Sequence, residues 1–226
     1  MKKIILIQAV VLAVIKFCFL PNAYAHQPRL VDVQTTIFVS LPEISKAYYG
    51  KLAGQPVIFH IKAQESFKLY VNLLVPDIEG VEKNVSAKIL KDGAVLAVLE
   101  GPLFDWKQFH EPFAGDDYFR GPEFSAIQEP GIYQIEVYSP DNQGKYVLAI
   151  GDKESFPLGE LVNAYLILPR LKSEFWGKSP FSAYNNIMGI FLGIILLAVA
   201  VVLVIGIWLT RFIHVKLKSN NTLLAK

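Results

Sequence analysis

An uncharged run of about 23 residues, Ile187 to Leu209, restricts this chain more than any other feature. At 1.5 Å per residue, a helix of that length crosses the roughly 30 Å of hydrocarbon in a bilayer. Trp208 lies at its end, where indole rings favour the headgroup region. Basic residues but no Asp or Glu follow the run. The positive-inside rule therefore predicts one transmembrane helix at 187–209 and a cytoplasmic basic tail at 210–226.

The N-terminus has the pattern of a secretory signal peptide. Two lysines precede an apolar run, and Ala23-Tyr24-Ala25 provides a small-residue cleavage motif. Cleavage after Ala25 would remove residues 1–25, and an uncleaved anchor is the alternative. With the C-terminal span, this predicts a single-pass cell-membrane protein. Its N-terminal domain lies outside, in a periplasm or extracellular, and its C-terminus is cytoplasmic.

Charge and cysteine content exclude several classes of function. The net charge of +2 comes largely from the two termini, so the outer domain has no basic patch for nucleic acid. The single cysteine, Cys18, lies in the signal region. We therefore expect a mature protein without disulfides, without a cysteine nucleophile and without a cysteine-based metal site.

The outer domain alternates apolar and polar residues with the period of β-strands. In "QPVIFHIKA", residues Val57, Phe59 and Ile61 share one face, and in "FKLYVNLLV" the same holds for alternate residues from Phe67 to Leu73. Asp92-Gly93 between two apolar runs predicts a hairpin. Ser139–Gly144 is rich in turn formers and separates "GIYQIEVY" from "KYVLAIG", which predicts a second hairpin. These features predict an all-β antiparallel sandwich over residues 26–158.

Two segments depart from this pattern. Pro42–Leu52 has apolar residues at mixed spacing, which predicts a helical turn. Gly159–Trp176 has apolar residues at helical spacing and contains Pro169, which would kink or end the helix. Residues 159–186 are therefore predicted to form a membrane-proximal helix and a linker.

The segment "GIYQIEVYSPDNQGKYVLAIG" resembles the closing hairpin of pre-peptidase C-terminal (PPC-like) domains, which are small sandwich domains beside secreted bacterial peptidases. The arrangement of "AHQPR", "EISKAYYGKL", "LYVNLLVPDI" and "YVLAIG" before a terminal span also resembles a set of uncharacterised bacterial single-pass membrane proteins with a secreted β-sandwich. Both resemblances imply architecture and no activity.

The sequence lacks the motifs of the common hydrolases, zinc peptidases and nucleotide-binding enzymes. We therefore expect no catalytic activity. His26 would be the first residue of the cleaved chain, and an N-terminal histidine can chelate copper through its amine and ring nitrogen. His60 and His110 are the candidates for the second histidine. The alternative is that His26 is only the residue after a cleavage site.

Phe104–Phe124 forms the densest polar cluster and is predicted to be a long, turn-rich loop. Its carboxylates suit Ca²⁺, and its aromatic residues suit a surface that binds a partner or a ligand. The alternative is a loop with aromatics packed on the sandwich edge and solvated acids. The candidate residues for these roles are Asp105, Trp106, Glu111, Asp116, Asp117, Tyr118 and Glu123.

Gly189 and Gly193 form a G-x-x-x-G motif, which lets two membrane helices approach closely and predicts a homodimer. A lone helix is the alternative. Because the tail is too short for a signalling domain, the sequence favours a membrane-anchored extracytoplasmic binding or accessory module. Its partner would be an envelope or membrane protein. The alternative function is a periplasmic copper-binding domain.

Overall fold

The structure, a computed structural model, describes residues 26–32 and 36–224. The predicted signal peptide and Cys18 lie outside these residues. The described chain contains the strands β1 Gln27–Leu30, β2 Thr36–Phe38, β3 Lys46–Ala53, β4 Val57–Ala63, β5 Phe67–Pro76, β6 Ser86–Lys91, β7 Ala94–Leu99, β8 Lys107–Glu111, β9 Asp116–Gln128, β10 Gly131–Tyr138 and β11 Gln143–Ile150. The helices are α1 Leu158–Glu174, a 3-10 helix at Pro180–Tyr184, and α2 Ile187–Leu224.

The strands form two sheets, and the predicted β-sandwich is confirmed. The six-stranded sheet has the order β1-β3-β11-β5-β9-β8, and the five-stranded sheet has the order β2-β4-β10-β6-β7. All neighbours are antiparallel except two edge pairs, β1 with β3 and β2 with β4. Successive strands mostly alternate between the sheets, so the core is built from residues far apart in sequence.

The core lies between the two sheets and follows the predicted alternation. The inward residues of β4 and β5 are almost fully buried, as are Ile135 of β10 and Leu148 of β11. Tyr48 and Phe59 meet edge to face across the core, with ring centroids 5.1 Å apart. Burial of this apolar surface is the main force that holds the two sheets together.

One of the two predicted hairpins is confirmed. β6 and β7 pair through a turn in which Asp92 has a φ of 49° and Gly93 a φ of 85°, as a two-residue hairpin turn requires. The other prediction was wrong. β10 lies in the five-stranded sheet and β11 in the six-stranded sheet, so Ser139–Gly144 carries the chain from one sheet to the other.

The predicted helical turn at Pro42–Leu52 was also wrong over most of its length. Residues from Lys46 onward form β3, whose first five residues are all buried. The six-stranded sheet is covered on both faces, so this strand has no solvated face and its sequence shows no alternation. Because side chains on both faces of β3 are buried, its apolar residues do not alternate with polar ones, and this accounts for the mixed spacing.

Helix α1 covers the outer face of the six-stranded sheet. Its buried residues Ala164, Leu168 and Leu171 confirm the helical spacing expected from the sequence. The helix continues through Pro169 to Glu174, so the proline does not end it. Past its end, Phe175 packs on Tyr49 with ring centroids 5.3 Å apart, and Trp176 packs on Tyr118 at 5.0 Å.

The C-terminal helix α2 forms a separate compact unit from Met188 onward. Its segment Ile187–Trp208 is, among the described residues, the one helix that is long and apolar enough to cross a membrane. This helix has the length and the apolar composition expected of the predicted transmembrane span. The helix extends beyond it to Leu224.

Candidate binding surface

The outer face of the five-stranded sheet carries a row of five uncharged side chains, one from each strand. We call this face the open face. Cross-strand register places Phe38 beside His60, His60 beside Gln134, Gln134 beside Leu90, and Leu90 beside Val95. At about 4.8 Å between strands, the row is about 19 Å long. It combines aromatic, imidazole, amide and aliphatic groups.

The two ends of this row are exposed, and the three residues between them, His60, Gln134 and Leu90, are half-buried. Phe38 is 81% exposed and Val95 is 59% exposed. The phenyl ring of Phe38 stacks on the His60 ring with centroids 5.4 Å apart, which holds both rings in place. Rigid aromatic groups with accessible faces are typical anchors of binding surfaces.

A second row lies beside the first. Among the described residues of the two rows, it carries the only ion pair. It consists of Thr36, Ile58, Glu136, Lys88 and Val98. The Lys88 ammonium lies 3.2 Å from the Glu136 carboxylate and 5.5 Å from the Tyr138 ring centroid. The two opposite charges cancel, so the two rows together have no net charge. These two rows therefore favour apolar and hydrogen-bonding contacts over strong electrostatic ones.

The sequence pattern alone does not reveal this surface. Each residue of the row is the outward member of an alternating strand, and the pattern marks such residues only as solvated. The signal was the presence of Phe38, Leu90 and Val95 at positions where a fully solvated face would carry polar side chains. Only the strand order shows that they lie side by side.

The three predicted copper histidines lie on separate elements. His26 precedes β1, at one edge of the six-stranded sheet, and His110 lies on β8, at the other edge. His60 belongs to the other sheet. Within residues 26–32 and 36–224, no three His, Cys, Asp or Glu side chains lie close enough together to hold a metal ion.

His26 and His110 each have a different hydrogen-bond partner. His26 Nδ1 contacts the hydroxyl of the buried Ser45. Burial, with the positive charge of Arg120 as the smaller cause, lowers the pKa of His26 to about 4. His110 Nδ1 lies 2.7 Å from the Asp117 carboxylate, and both side chains are exposed.

The predicted Phe104–Phe124 loop is mostly a β-hairpin of β8 and β9. Its carboxylates point to separate partners. Asp105 pairs with Lys107, Asp117 with His110, and Glu123 with Arg120 at 3.0 Å. Glu111 accepts hydrogen bonds from the backbone N–H groups of Phe113 and Ala114, at 2.8 and 2.7 Å. Burial raises the pKa of Glu111. The structure does not bring these carboxylates together around one cation position.

The aromatic residues of this segment have structural contacts. Trp106 donates its indole N–H to the Gly101 carbonyl at 2.8 Å and packs against the core. Its ring covers Gly121, where an added Cβ would lie 2.5 Å from ring atoms. The Tyr118 hydroxyl lies 3.0 Å from that of Tyr49 under Trp176, and burial raises its pKa well above the usual value. These contacts match the alternative in which the aromatics pack on the sandwich.

Asp116 is fully buried and joins the hairpin to α1. Its carboxylate lies 2.6 Å from the ammonium of Lys172, which is also buried, and 3.3 Å from that of Lys178. Lys172 also donates to the Ala114 carbonyl at 2.7 Å, as does the amide of Asn186. A candidate calcium ligand is therefore part of a buried ion pair.

Two clefts lie away from the two rows of the open face. Phe38 is the one row residue that lines either of them. One, of about 230 Å³, lies between β1, β2 and β3 and is lined by Arg29, Leu30, Val31, Ile37, Phe38, Ser40, Lys46 and Tyr48. Lys46 donates to the carbonyls of Ser40 and Leu41, at 2.7 and 2.9 Å. The other, of about 280 Å³, lies between Ile78–Glu82 and Asp141–Lys145.

In α2, the predicted packing residues Gly189 and Gly193 lie one turn apart. A Cβ added at Gly193 would have no other atom within 4 Å.

No protein-family model matches the chain, and no curated protein matches it. Among solved structures, a pre-peptidase C-terminal domain of a Bacillus anthracis collagenase is 11% identical, with a TM-score of 0.34, and covers 53% of this chain and 97% of its own. A CBM35 from Cellvibrio japonicus Abf62 is 12% identical, with a TM-score of 0.27, over 44% of this chain and 68% of its own.

CorA, a surface-associated copper-binding protein of Methylomicrobium album BG8, is 9% identical, with a TM-score of 0.28, over 53% of this chain and 98% of its own. The resemblance to a pre-peptidase C-terminal domain that the sequence indicated is thus found again as a weak structural similarity. At these identities and TM-scores, none of the three carries an argument about function.

Proposed function

We propose that this protein is a membrane-anchored, extracytoplasmic binding module that has no catalytic activity and holds an envelope or membrane protein through its open face. The observation that carries the proposal is the uncharged row from Phe38 to Val95, which crosses all five strands of one sheet. A row about 19 Å long on an open sheet face fits a macromolecular surface better than a small molecule, which needs a concave site.

The asymmetry of the sandwich supports this choice of face. The outer face of the six-stranded sheet is covered by α1, Phe175 and Trp176. The five-stranded sheet has no such cover in the described part of the chain. A partner would therefore meet the exposed side chains of the open face.

The placement outside the cytoplasm rests on the segment Ile187–Trp208 and on the basic residues after it. It can be tested with single cysteines in a Cys18→Ser background. Gln55→Cys lies in an exposed turn of the sandwich, and Thr222→Cys lies in the tail. A membrane-impermeant maleimide added to intact cells should label the first and not the second. The reverse labelling would overturn the proposed orientation.

The binding role can be tested by photo-crosslinking of the full-length protein in the cells that make it. A benzoylphenylalanine at position 38 or 134 should yield the same covalent adduct from both positions. The matched control is position 103, because Leu103 is 83% exposed but lies off the open face. It should yield no such adduct.

Specificity is tested by combining the position 38 probe with Gln134→Lys. A charge in the middle of the uncharged row should lower the adduct yield about tenfold. Equal yields from positions 38 and 103, or a yield that Gln134→Lys does not change, would show that the open face is not the binding surface.

A further inference from the structure

β7 is an edge strand that carries neither a charged residue nor a proline to protect its edge from pairing. Its sequence, Ala94–Leu99, contains only Ala, Val and Leu, and its side away from β6 has no neighbouring strand in the described part of the chain. An exposed apolar edge offers free backbone N–H and C=O groups to another strand.

The other edge strands differ from β7. β1 contains Pro28 and Arg29, and β8 begins with Lys107 and ends with Glu111. β2 has three residues. Charges, proline, short length and bulges are the usual protections of edge strands, and of these β7 has only a bulge against β6. Among the four described edges, β7 is therefore the one suited to strand pairing.

The sequence of β7 is complementary to itself. In an antiparallel pair of two copies centred between Leu96 and Ala97, Val95 of each copy lies opposite Val98 of the other. Both valines face the same way, because Val95 lies beside Leu90 and Val98 beside Lys88 across a bulge in the β6–β7 pair. Branched side chains directly opposite each other stabilise an antiparallel pair, and no like charges meet.

We propose that β7 pairs with β7 of a second copy of this chain, in antiparallel register, and joins two five-stranded sheets into one ten-stranded sheet. The absence of charge on β7 and its self-complementary register favour a second copy as the occupant. The proposal goes beyond the binding role of the open face. It would place the uncharged row of one copy in line with the second row of the other.

The size of the interface sets the strength of this association. One six-residue strand pair is smaller than the roughly 1,200–2,000 Å² of a stable interface. The pair should therefore be weak between free molecules. Attachment to one membrane raises the effective concentration of the copies, and G-x-x-x-G packing of α2 would add to it.

The first test is disulfide formation in membranes by the full-length protein with Cys18→Ser, Val95→Cys and Val98→Cys. The proposed register places the cysteine introduced at position 95 of one copy opposite the cysteine introduced at position 98 of the other, within the Cα separation that a disulfide allows. Mild oxidation should give a covalent dimer. The control carries Ile132→Cys and Lys62→Cys, a cross-strand pair on the open face away from β7, and should give no dimer.

The second test measures energy transfer between fluorescently labelled full-length copies in phosphatidylcholine vesicles. Val95→Lys with Val98→Lys places lysines opposite each other and should lower the dimer fraction about tenfold or more. Ile132→Lys is the matched control, because Ile132 is 53% exposed on a central strand. It should leave the dimer fraction unchanged.

An equal response of the two lysine variants would overturn the proposal. A dimer that depends on the valines but forms no disulfide would overturn the register. If the lysine variant leaves self-association unchanged and instead removes the adduct with another protein, β7 serves a different partner and the proposal fails.

Discussion

The buried pair of Asp116 and Lys172 gives a prediction that the structure makes quantitative. Lys172→Met removes the ammonium 2.6 Å from a fully buried carboxylate and leaves Lys178, at 3.3 Å, as the remaining cation. Removal of one partner from a buried pair costs about 3–5 kcal/mol of unfolding free energy. Because Lys178 still compensates part of the charge, we expect the low end, about 3 kcal/mol.

The assay is thermal unfolding of the full-length protein in detergent, followed by tryptophan fluorescence. Trp176 lies on Tyr118, two residues from Asp116, and reports on this region. For a domain of about 150–250 residues, 1 kcal/mol corresponds to roughly 2–4 °C in Tm. The Lys172→Met variant should therefore unfold about 6–12 °C below the wild type.

Two matched variants separate the charge effect from the loss of packing. Lys178→Met should cost no more than about 1 kcal/mol, because that side chain is 42% exposed. Asp116→Asn with Lys172→Met leaves no uncompensated buried charge and should lie within about 1 kcal/mol of the wild type. If the double variant is no more stable than Lys172→Met alone, the uncompensated charge is not the cause and the reasoning fails.

Three further predictions concern single residues. The pKa of His26 is about 4 in the folded protein and near 6.5 when unfolded, so its contribution is complete above pH 6.5 and is lost as the pH falls toward 4. Because His26 as a whole is half-buried, about 2 kcal/mol of unfolding free energy should be lost. His26→Gln should remove this pH dependence in urea unfolding. Gly50→Ala places a Cβ 2.4 Å from the Tyr146 ring and should lower the free energy of unfolding by about 2 kcal/mol. Gly159→Ala, whose Cβ would have nothing within 4 Å, should instead stabilise α1 by about 0.5–1 kcal/mol. Equal melting temperatures of the two variants would contradict this. For copper binding, a Cu(II) titration with EPR should show weak binding that an added Gly before His26 does not change, because His60 and His110 lie on other elements. Tight binding that is lost when His26 is masked would support the copper hypothesis instead.

The hairpin predictions show what a turn sequence can decide. Asp92-Gly93 specifies a tight reversal by backbone conformation alone, so β6 and β7 must pair. Ser139–Gly144 is longer, and its turn residues reverse the chain without fixing the strand that pairs next. Here Ser139 and Asp141 bind backbone groups within the turn while the chain crosses to the other sheet.

The candidate site shows the same limit. The histidines and carboxylates singled out from the sequence have the chemistry of metal ligands. In the fold, however, each of them contacts a different partner. The residues of the open face, from Phe38 to Val95, were visible only as outward positions of five strands. Their proximity depends on a strand order, β2-β4-β10-β6-β7, that joins segments far apart in the sequence.

The sequence by itself determined the properties that depend on neighbouring residues. These are the apolar helix at Ile187–Trp208, the inward faces of β4 and β5, and the helical spacing of α1. The tertiary structure alone decided which strands pair, that β3 is covered on both faces, and that Asp116 meets Lys172. The physical reason is that periodicity shows which side of an element is buried. The strand or helix that covers that side is selected by the packing of the whole core.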